Sequence, residues 1–444
     1  MLPSLQKQFG FFNEEPLRGD VRLATDTVLS YENWFEGRYA HTKEQFINDN
    51  FGFRSWFVRL RNQLYFSAFD HAYAKEVILG KKGFLYESRY LAAYAGKDYI
   101  GEKHTEELFE KLKLVQDSLA KRGVTLVLLF APGKATYFPE YIPDSYYNYS
   151  EKTNYLEHIK FAKKFGINHI DLNGWFLQLK SKSKFPLYPQ TGTHWSTYGM
   201  YIAFDSISKY LDHMLHKKLP KYKMGSVEMR DPTLIWEDID IEAGLNLLST
   251  MPHYKMAYPN ITWPDTQNCY RPRVLTIGDS YWGRIYDLHL PKIVYLHPEF
   301  WSYNQFVFNY SPVGMKGNSI DLDSKISGKS GISTDLDLKT SVEQKDVVFI
   351  IGSEASLRFM GWDFIEEVYN MYKNGPSLYS SLQASRKKTL EMTLIKDNIM
   401  SNEDWYIGIK RFATATNISV DSSLQAAALG IYADRHKADP SVKK

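Results

Sequence analysis

Cysteine is almost absent from this chain. Cys269 is the single one in 444 residues, so no intrachain disulfide can form, and the composition suits either a reducing cytoplasm or a periplasm where stray thiols are avoided. No stretch approaches the ~18 apolar residues of a membrane span. The longest apolar runs, Val124 to Phe130 and Val347 to Ile351, have strand length. Charge of one sign is not in excess: Lys plus Arg is 54, Asp plus Glu is 51, and the net charge is +3. That excludes the basic footprint of a nucleic-acid binder. No two histidines have an HExxH-like spacing, so no metal site is expected. A phosphate-cradling glycine loop and a dinucleotide fingerprint are also missing, and no cofactor is expected. No charged-then-apolar signal peptide starts at Met1. The opening, Met1-Leu2-Pro3-Ser4, is abrupt enough to suggest a missing upstream segment.

What is present is ordinary globular material, with 44% hydrophobic and 24% charged residues, on a chain long enough for two or three domains or one large domain with extensions. Aromatic residues reach 15%, led by 32 Tyr. Composition alone does not separate a Tyr-rich core from rings that stack on sugar faces. Residues 1–104 hold no long apolar strand. Tyr31 to Asn50 and Ser55 to Phe69 have amphipathic helical spacing, and two apolar runs around Gly80-Lys81-Lys82-Gly83 predict a hairpin. From Thr105, a plausible cap, to Arg122 the spacing is helical, and Gly123 ends it. Val124 to Phe130 is then nearly all apolar, as in a strand covered on both faces. A helix near Asn154 to Phe165, a short strand Ile167 to Asp171, a helix Tyr198 to Leu215, and strands Val274 to Ile277 and Val347 to Ile351 follow. This alternation predicts an α/β domain over 105–384, a mainly parallel sheet with helices on both faces. It is preceded by a helical and hairpin extension and followed by a helical segment, 385–444. Asn318 to Gln344 is polar and aperiodic, and an exposed insertion is expected there.

Two short motifs can carry chemistry. Gly278-Asp279-Ser280 follows an apolar strand and precedes a short helix, Tyr281 to Leu288. In an open parallel sheet, sites form at the carboxyl ends of strands. A serine at that turn sits where backbone N–H groups can stabilise an oxyanion, and the preceding glycine permits the tight turn. Helix capping by Asp279 or Ser280 explains the same tripeptide without any chemistry. Thr193-His194-Trp195-Ser196 lies in a polar loop just before a helix. His194 is the candidate base, because a serine hydroxyl needs a group of near-neutral pKa to take its proton.

The chain resembles the SGNH-hydrolase-like proteins of bacterial polysaccharide O-acetylation, the alginate O-acetyltransferase (AlgJ/AlgX-like) group. The resemblance runs through Glu32 to Gly37, Asn48 to Arg54, Val77 to Lys81, Gly83 to Tyr86, Ala131 to Ala135 and Tyr137 to Glu140. It centres on Thr193-His194-Trp195 followed by Gly278-Asp279-Ser280, with the histidine motif before the serine motif as in that group. The group's pattern has Asp two residues before the histidine; here that position is Gly192. The carboxylate of a triad orients the imidazole and stabilises its charged form, so the role falls to another group, to a Ser-His dyad, or to nothing. Asp171, at a predicted strand end, is a candidate replacement, although a helix-cap role explains it as well. Asp279 and Gly278 are expected to support the nucleophile and its oxyanion. Tyr281, Arg284, Trp195 and Glu354 are candidates for binding substrate.

The resemblance implies an acetyl group delivered to Ser280 and passed to a polysaccharide hydroxyl. It also implies a membrane-bound O-acyltransferase (MBOAT) protein as donor partner, and a location in the periplasm or on the outer face of the membrane, with an N-terminal anchor. A carbohydrate acetyl esterase or deacetylase would use the same residues with water as acceptor. A non-catalytic polysaccharide-binding scaffold is the reading that Gly192 favours.

Overall fold

A computed structural model describes the chain except residues 1, 13, 20–22, 25, 27, 36, 147–149, 236–237, 264–267, 311–314, 317–318, 321–330, 402, 417 and 438–444. Two compact units are present. The smaller comprises Met1–Phe69, Asn246–Leu248 and Gln383–Lys444; the larger comprises Asp70–Leu245 and Ser249–Leu382. The boundary expected at residue 104 thus moves to 69. The physical reason is the hairpin Val77–Leu79/Leu85–Glu87, whose Leu85 and Tyr86 are buried in the core of the larger unit.

The larger unit is built on a seven-stranded sheet. In chain order its strands are β1 (Thr125–Ala131), β2 (His169–Asp171), β3 (Arg273–Gly278), β4 (Leu296–Ser302), β5 (Phe306–Asn309), β6 (Gly331–Ile332) and β7 (Val347–Ser353). Across the sheet they run β6-β5-β4-β3-β7-β1-β2. All neighbours from β4 to β2 are parallel, while β5 and β6 pair antiparallel at one edge. The three strongly apolar segments are therefore three adjacent central strands. Their side chains alternate between two cores, as the period of two requires. Val127, Leu129, Phe349 and Ile351 face the helices Thr197–Leu215 and Ser280–Asp287. Leu126, Leu128, Phe130, Leu275, Ile277, Val348 and Ile350 face the helices Glu102–Ala120, Asn154–Lys164 and Phe364–Lys373. The fold is an SGNH-like α/β sandwich with helices on both faces.

Several expectations shift. Thr105 lies one turn inside its helix, bonding back to the Gly101 carbonyl at 3.0 Å, and is not the cap. Within the segment expected as an exposed insertion, 321–330 lies outside the described residues. The remainder is not a solvated loop: β6 extends the sheet, Ser333 and Thr334 are buried, and Leu338 and Val342 of the helix Leu338–Glu343 enter the core. An antiparallel ribbon, Lys223–Arg230 with Met256–Thr262, and the short helix Asp240–Leu245 occupy the stretch between the Thr197–Leu215 helix and β3. The smaller unit carries the helices Arg38–Asp49, Arg54–Phe69, Pro376–Ser401 (from residue 383), Glu403–Thr416 and Val420–Lys437. Among the described residues no helix is long and apolar enough to cross a membrane.

Candidate active site

Strand β3 delivers Ser280 to the carboxyl edge of the sheet. At Gly278 a Cβ would stand 2.4 Å from Ile351 Cγ2, so only glycine lets β3 and β7 run this close. Asp279 then caps the Ser280–Asp287 helix: its Oδ1 accepts from the Tyr281 N–H at 3.1 Å, and its Oδ2 accepts from the Ser353 N–H on β7 at 2.8 Å. One carboxylate thus ties the Ser280 turn to the next strand. It is the capping role and a supporting role at once.

His194 meets Ser280 across 86 residues of chain. Its Nε2 lies 2.9 Å from the Ser280 Oγ, within the reach proton transfer needs. Its Nδ1 lies 2.7 Å from Oδ2 of Asp240. That contact fixes the tautomer, with Nδ1 donating to the carboxylate and Nε2 left to face the hydroxyl. Asp240 is itself held: its Oδ1 accepts from the backbone N–H of Thr193 at 2.7 Å and of Ile241 at 2.8 Å. Burial pushes the Asp240 carboxyl up, but the His194 hydrogen bond and charge, the Thr193 N–H and the Arg284 charge outweigh it. The carboxyl stays below its ordinary value.

The carboxylate beside His194 is therefore Asp240, not Asp171. Asp171 caps the Leu172–Leu179 helix through the Gly174 N–H at 2.8 Å and accepts from the Tyr155 hydroxyl at 3.0 Å. Position 192 could not carry the acid in this backbone. A Cβ there would lie 2.8 Å from the Asp238 carbonyl oxygen and 2.9 Å from Pro189 Cγ. Glycine at 192 is what lets the 238–242 segment approach the histidine loop. Sequence reasoning missed Asp240 because it sits in an acidic run, Glu237, Asp238, Asp240 and Glu242, at the start of a short helix, where carboxylates are common for helix-dipole reasons alone.

The histidine loop is held at nearly every carbonyl. The Tyr281 hydroxyl donates to Thr193 O at 3.1 Å, the Glu242 N–H donates to Thr191 O at 3.2 Å, and the Lys134 ammonium donates to Gln190 O at 2.8 Å and Gly192 O at 2.6 Å. The Thr193 hydroxyl donates to Glu87 at 2.8 Å. On the helix that carries Asp240, Glu242 pairs with the buried His253 and accepts from the Met251 N–H at 2.8 Å.

Three of the four residues expected to touch substrate are internal. Tyr281 and Trp195 are fully buried, with their rings packed behind His194 and each other. Large side chains without exposed surface position their neighbours and do not present a face to a polymer. Glu354 is also buried; it accepts from Thr136 and Asn173, each at 2.6 Å. Burial first, and then the nearby Asp98 and Asp171, raise its carboxyl to about 7 against the two hydrogen bonds. Arg284 pairs with Asp287 at 3.4 Å and remains partly exposed. The group that does reach Ser280 was not foreseen. Tyr303, just past β4, has left-handed backbone (φ 52) and donates its N–H to Gly278 O at 2.8 Å. Burial and the Asp279 charge raise its phenol, and the neighbouring Ser280 side chain and backbone pull it down. Among the described residues, no group of three or more His, Cys, Asp or Glu side chains is arranged to hold a metal ion.

Ser280, His194 and Asp240 form a hydrogen-bonded series at the carboxyl edge of the parallel sheet, the order of groups that serine acyl transfer requires. Residues 77–231 match the SGNH hydrolase-like domain of the acetyltransferase AlgX. It is 29% identical over 177 residues to the probable alginate O-acetylase AlgJ of Pseudomonas aeruginosa, covering 40% of this chain and 42% of that protein. It is 27% identical over 180 residues to the protein of the same description from Pseudomonas syringae pv. tomato, covering 40% and 43%. The chain thus matches less than half the length of these relatives. A looser likeness, with 16% identity and a TM-score of 0.38, links it to the O-acetyltransferase domain of Pseudomonas putida AlgJ, covering 66% of this chain and 99% of that one.

Proposed function

We propose that this protein is a polysaccharide O-acetyltransferase that works through an acetyl-Ser280 intermediate. The observation that carries the proposal is the Ser280–His194–Asp240 series, at 2.9 and 2.7 Å, inside an AlgX-like domain. In the first half-reaction Nε2 of His194 takes the Ser280 proton as Oγ attacks the acetyl carbonyl. The tetrahedral oxyanion collapses, and the leaving group departs with the proton that the imidazolium returns. In the second, His194 takes a proton from a sugar hydroxyl, whose oxygen attacks the acetyl-enzyme and expels the serine alkoxide, reprotonated by the imidazolium. Asp240 stabilises the imidazolium in both. On this reading the donors to the oxyanion are the Ser280 N–H, at the start of its helix, and the hydroxyl of the neighbouring Tyr303.

The acceptor on this reading is a polysaccharide, as the description of the relatives as alginate O-acetylases suggests. The acetyl donor is a membrane-bound O-acyltransferase protein, and the site of action is the periplasm or the outer face of the membrane. A non-catalytic scaffold draws its support from Gly192, and Asp240 supplies the carboxylate that position lacks. Hydrolysis differs from transfer only in which hydroxyl reaches the acetyl-enzyme first.

The test is turnover of a small acetyl ester, with and without an acceptor oligosaccharide, by the native protein and Ser280→Ala. Acetyl appears on the Ser280 peptide and turnover exceeds that of the variant by about 10^3-fold or more. Equal rates with no adduct would leave the scaffold reading.

A further inference from the structure

The acyl-transfer reading gives no task to Lys134, the most deeply buried cation beside the site. We propose that Lys134 is a positioning residue of this site: from behind the His194 loop its ammonium holds two loop carbonyls and balances the carboxylates of Asp240 and Glu87, without touching the reacting atoms. The inference rests on the acyl-transfer reading and deepens it.

The geometry is specific. β1 ends at Ala131, and Pro132-Gly133 turn the chain into the short helix Lys134–Tyr137. The Lys134 side chain runs inward, 1% exposed, between the rings of Phe84 and Tyr86, whose centroids lie 5.9 and 5.5 Å from Nζ. It ends on Gln190 O at 2.8 Å and Gly192 O at 2.6 Å. Among the described residues no carboxylate hydrogen-bonds it. The charged groups that face it are Asp240 and Glu87, both of which it feels through space, and Glu87 in turn pairs with Arg89.

Gly192 is thus held between two constraints. On one side the absence of a Cβ admits the Asp238 carbonyl and, with it, the segment bearing Asp240. On the other its own carbonyl is drawn onto Lys134. A loop whose carbonyls turn inward needs buried donors, because an unmatched buried carbonyl is costly; Gln190 O also accepts from the Leu85 N–H at 3.1 Å, and the Lys134 ammonium joins it to Gly192 O through one amine. A plain structural donor would do this as a neutral group. The ammonium adds a positive charge close to the His194–Asp240 pair. That charge faces the Asp240 carboxylate on which the His194 Nδ1 depends. Burial pulls the Lys134 ammonium down to about 7 against the pull of Asp240 and Glu87, so its charge is present through the acid range and fades as pH rises through neutrality.

The experiment compares the native protein, Lys134→Met and Ser280→Ala on a small acetyl ester across pH, with folding checked by thermal melting. Lys134→Met lowers kcat by about tenfold or more, since small misplacements of a catalytic group are expensive. KM changes little. A donor that only supports the fold would lower the melting temperature and leave the kcat of the folded protein in place. If folded Lys134→Met keeps the native kcat, the proposal is wrong. If Lys134→Met does not fold, the native protein decides. Its kcat then changes through the pH range in which carbon NMR shows the Lys134 Cε titrating, near 7; a kcat that does not change across that titration overturns the proposal. Native turnover no greater than that of Ser280→Ala removes the acyl-transfer reading, and the role of Lys134 with it. Failure of the Lys134 arm alone leaves that reading standing.

Discussion

At the scale of single residues, the address of the acid is the sharpest difference between sequence and structure. Asp240→Asn keeps the shape of the Nδ1 partner but removes its charge and can present the wrong tautomer. Turnover of an acetyl ester is expected to fall by roughly 10^3–10^4-fold with the fold intact. Asp171→Ala loses a cap and the Tyr155 hydrogen bond, so it costs about 1–3 kcal/mol of stability and leaves kcat near the native value. Comparing the two in one assay separates the assignments. Gly192→Asp, which would restore the local Asp-x-His pattern, is expected to destabilise by roughly 1–3 kcal/mol through overpacking against Asp238 and Pro189, measured by urea melting, with no gain in rate. Glu354 offers a pH test. Its folded-state carboxyl is raised to about 7 from 4.5, so the stability it lends is full below 4.5 and is lost as pH rises through 7. Glu354→Gln should therefore be more favourable, relative to the native protein, at pH 8 than at pH 5; a difference in melting temperature that does not change with pH would refute the assignment.

At the scale of elements, the central strands were legible because Val124 to Phe130, Val274 to Ile277 and Val347 to Ile351 are buried on both faces and read as continuous apolar runs. The turn after β3 was legible because glycine, acid and serine follow such a run directly. β4 was not. Leu296-His297-Pro298-Glu299-Phe300-Trp301-Ser302 mixes a proline and three polar residues into a strand that lies next to the antiparallel edge pair. The helix Asp240–Leu245 was not legible either. Six residues are too few to show a period, and its stability comes from tertiary partners. Those partners can be tested. The Glu242 and His253 side chains form a buried hydrogen-bonded pair on the element that delivers Asp240, and leaving a buried polar group without its partner costs about 1–3 kcal/mol. Glu242→Gln is expected to lose stability on that scale and to lower kcat without raising the KM of a small ester. An unchanged kcat in the folded variant would show that Asp240 is held without the pair.

At the scale of the molecule, every residue assigned to the site lies in the larger unit. Ser280, His194, Asp240, Lys134 and Tyr303 all fall within Asp70–Leu245 and Ser249–Leu382. A chain limited to residues 70–382 is therefore expected to melt cooperatively and to turn over a small acetyl ester at the native rate. Loss of activity without loss of folding would assign the smaller unit a part in the chemistry. The expected division at 104 failed because a hairpin looks separable in sequence when its apolar residues are few. Leu85 and Tyr86 belong to the main core only once the sheet exists.

The 46 residues that separate His194 from its acid also bear on how such domains are recognised. Positions 192 and 240 are two addresses for one negative charge, and a backbone that closes on a glycine at the first has committed the charge to the second. A search keyed to Asp two places before the histidine would count this chain as a degenerate copy. The better signature is a pair: a small residue at the first address together with a carboxylate on the element that packs against it. Sequences with neither carboxylate, not sequences without the local one, are where a lost enzyme should be sought.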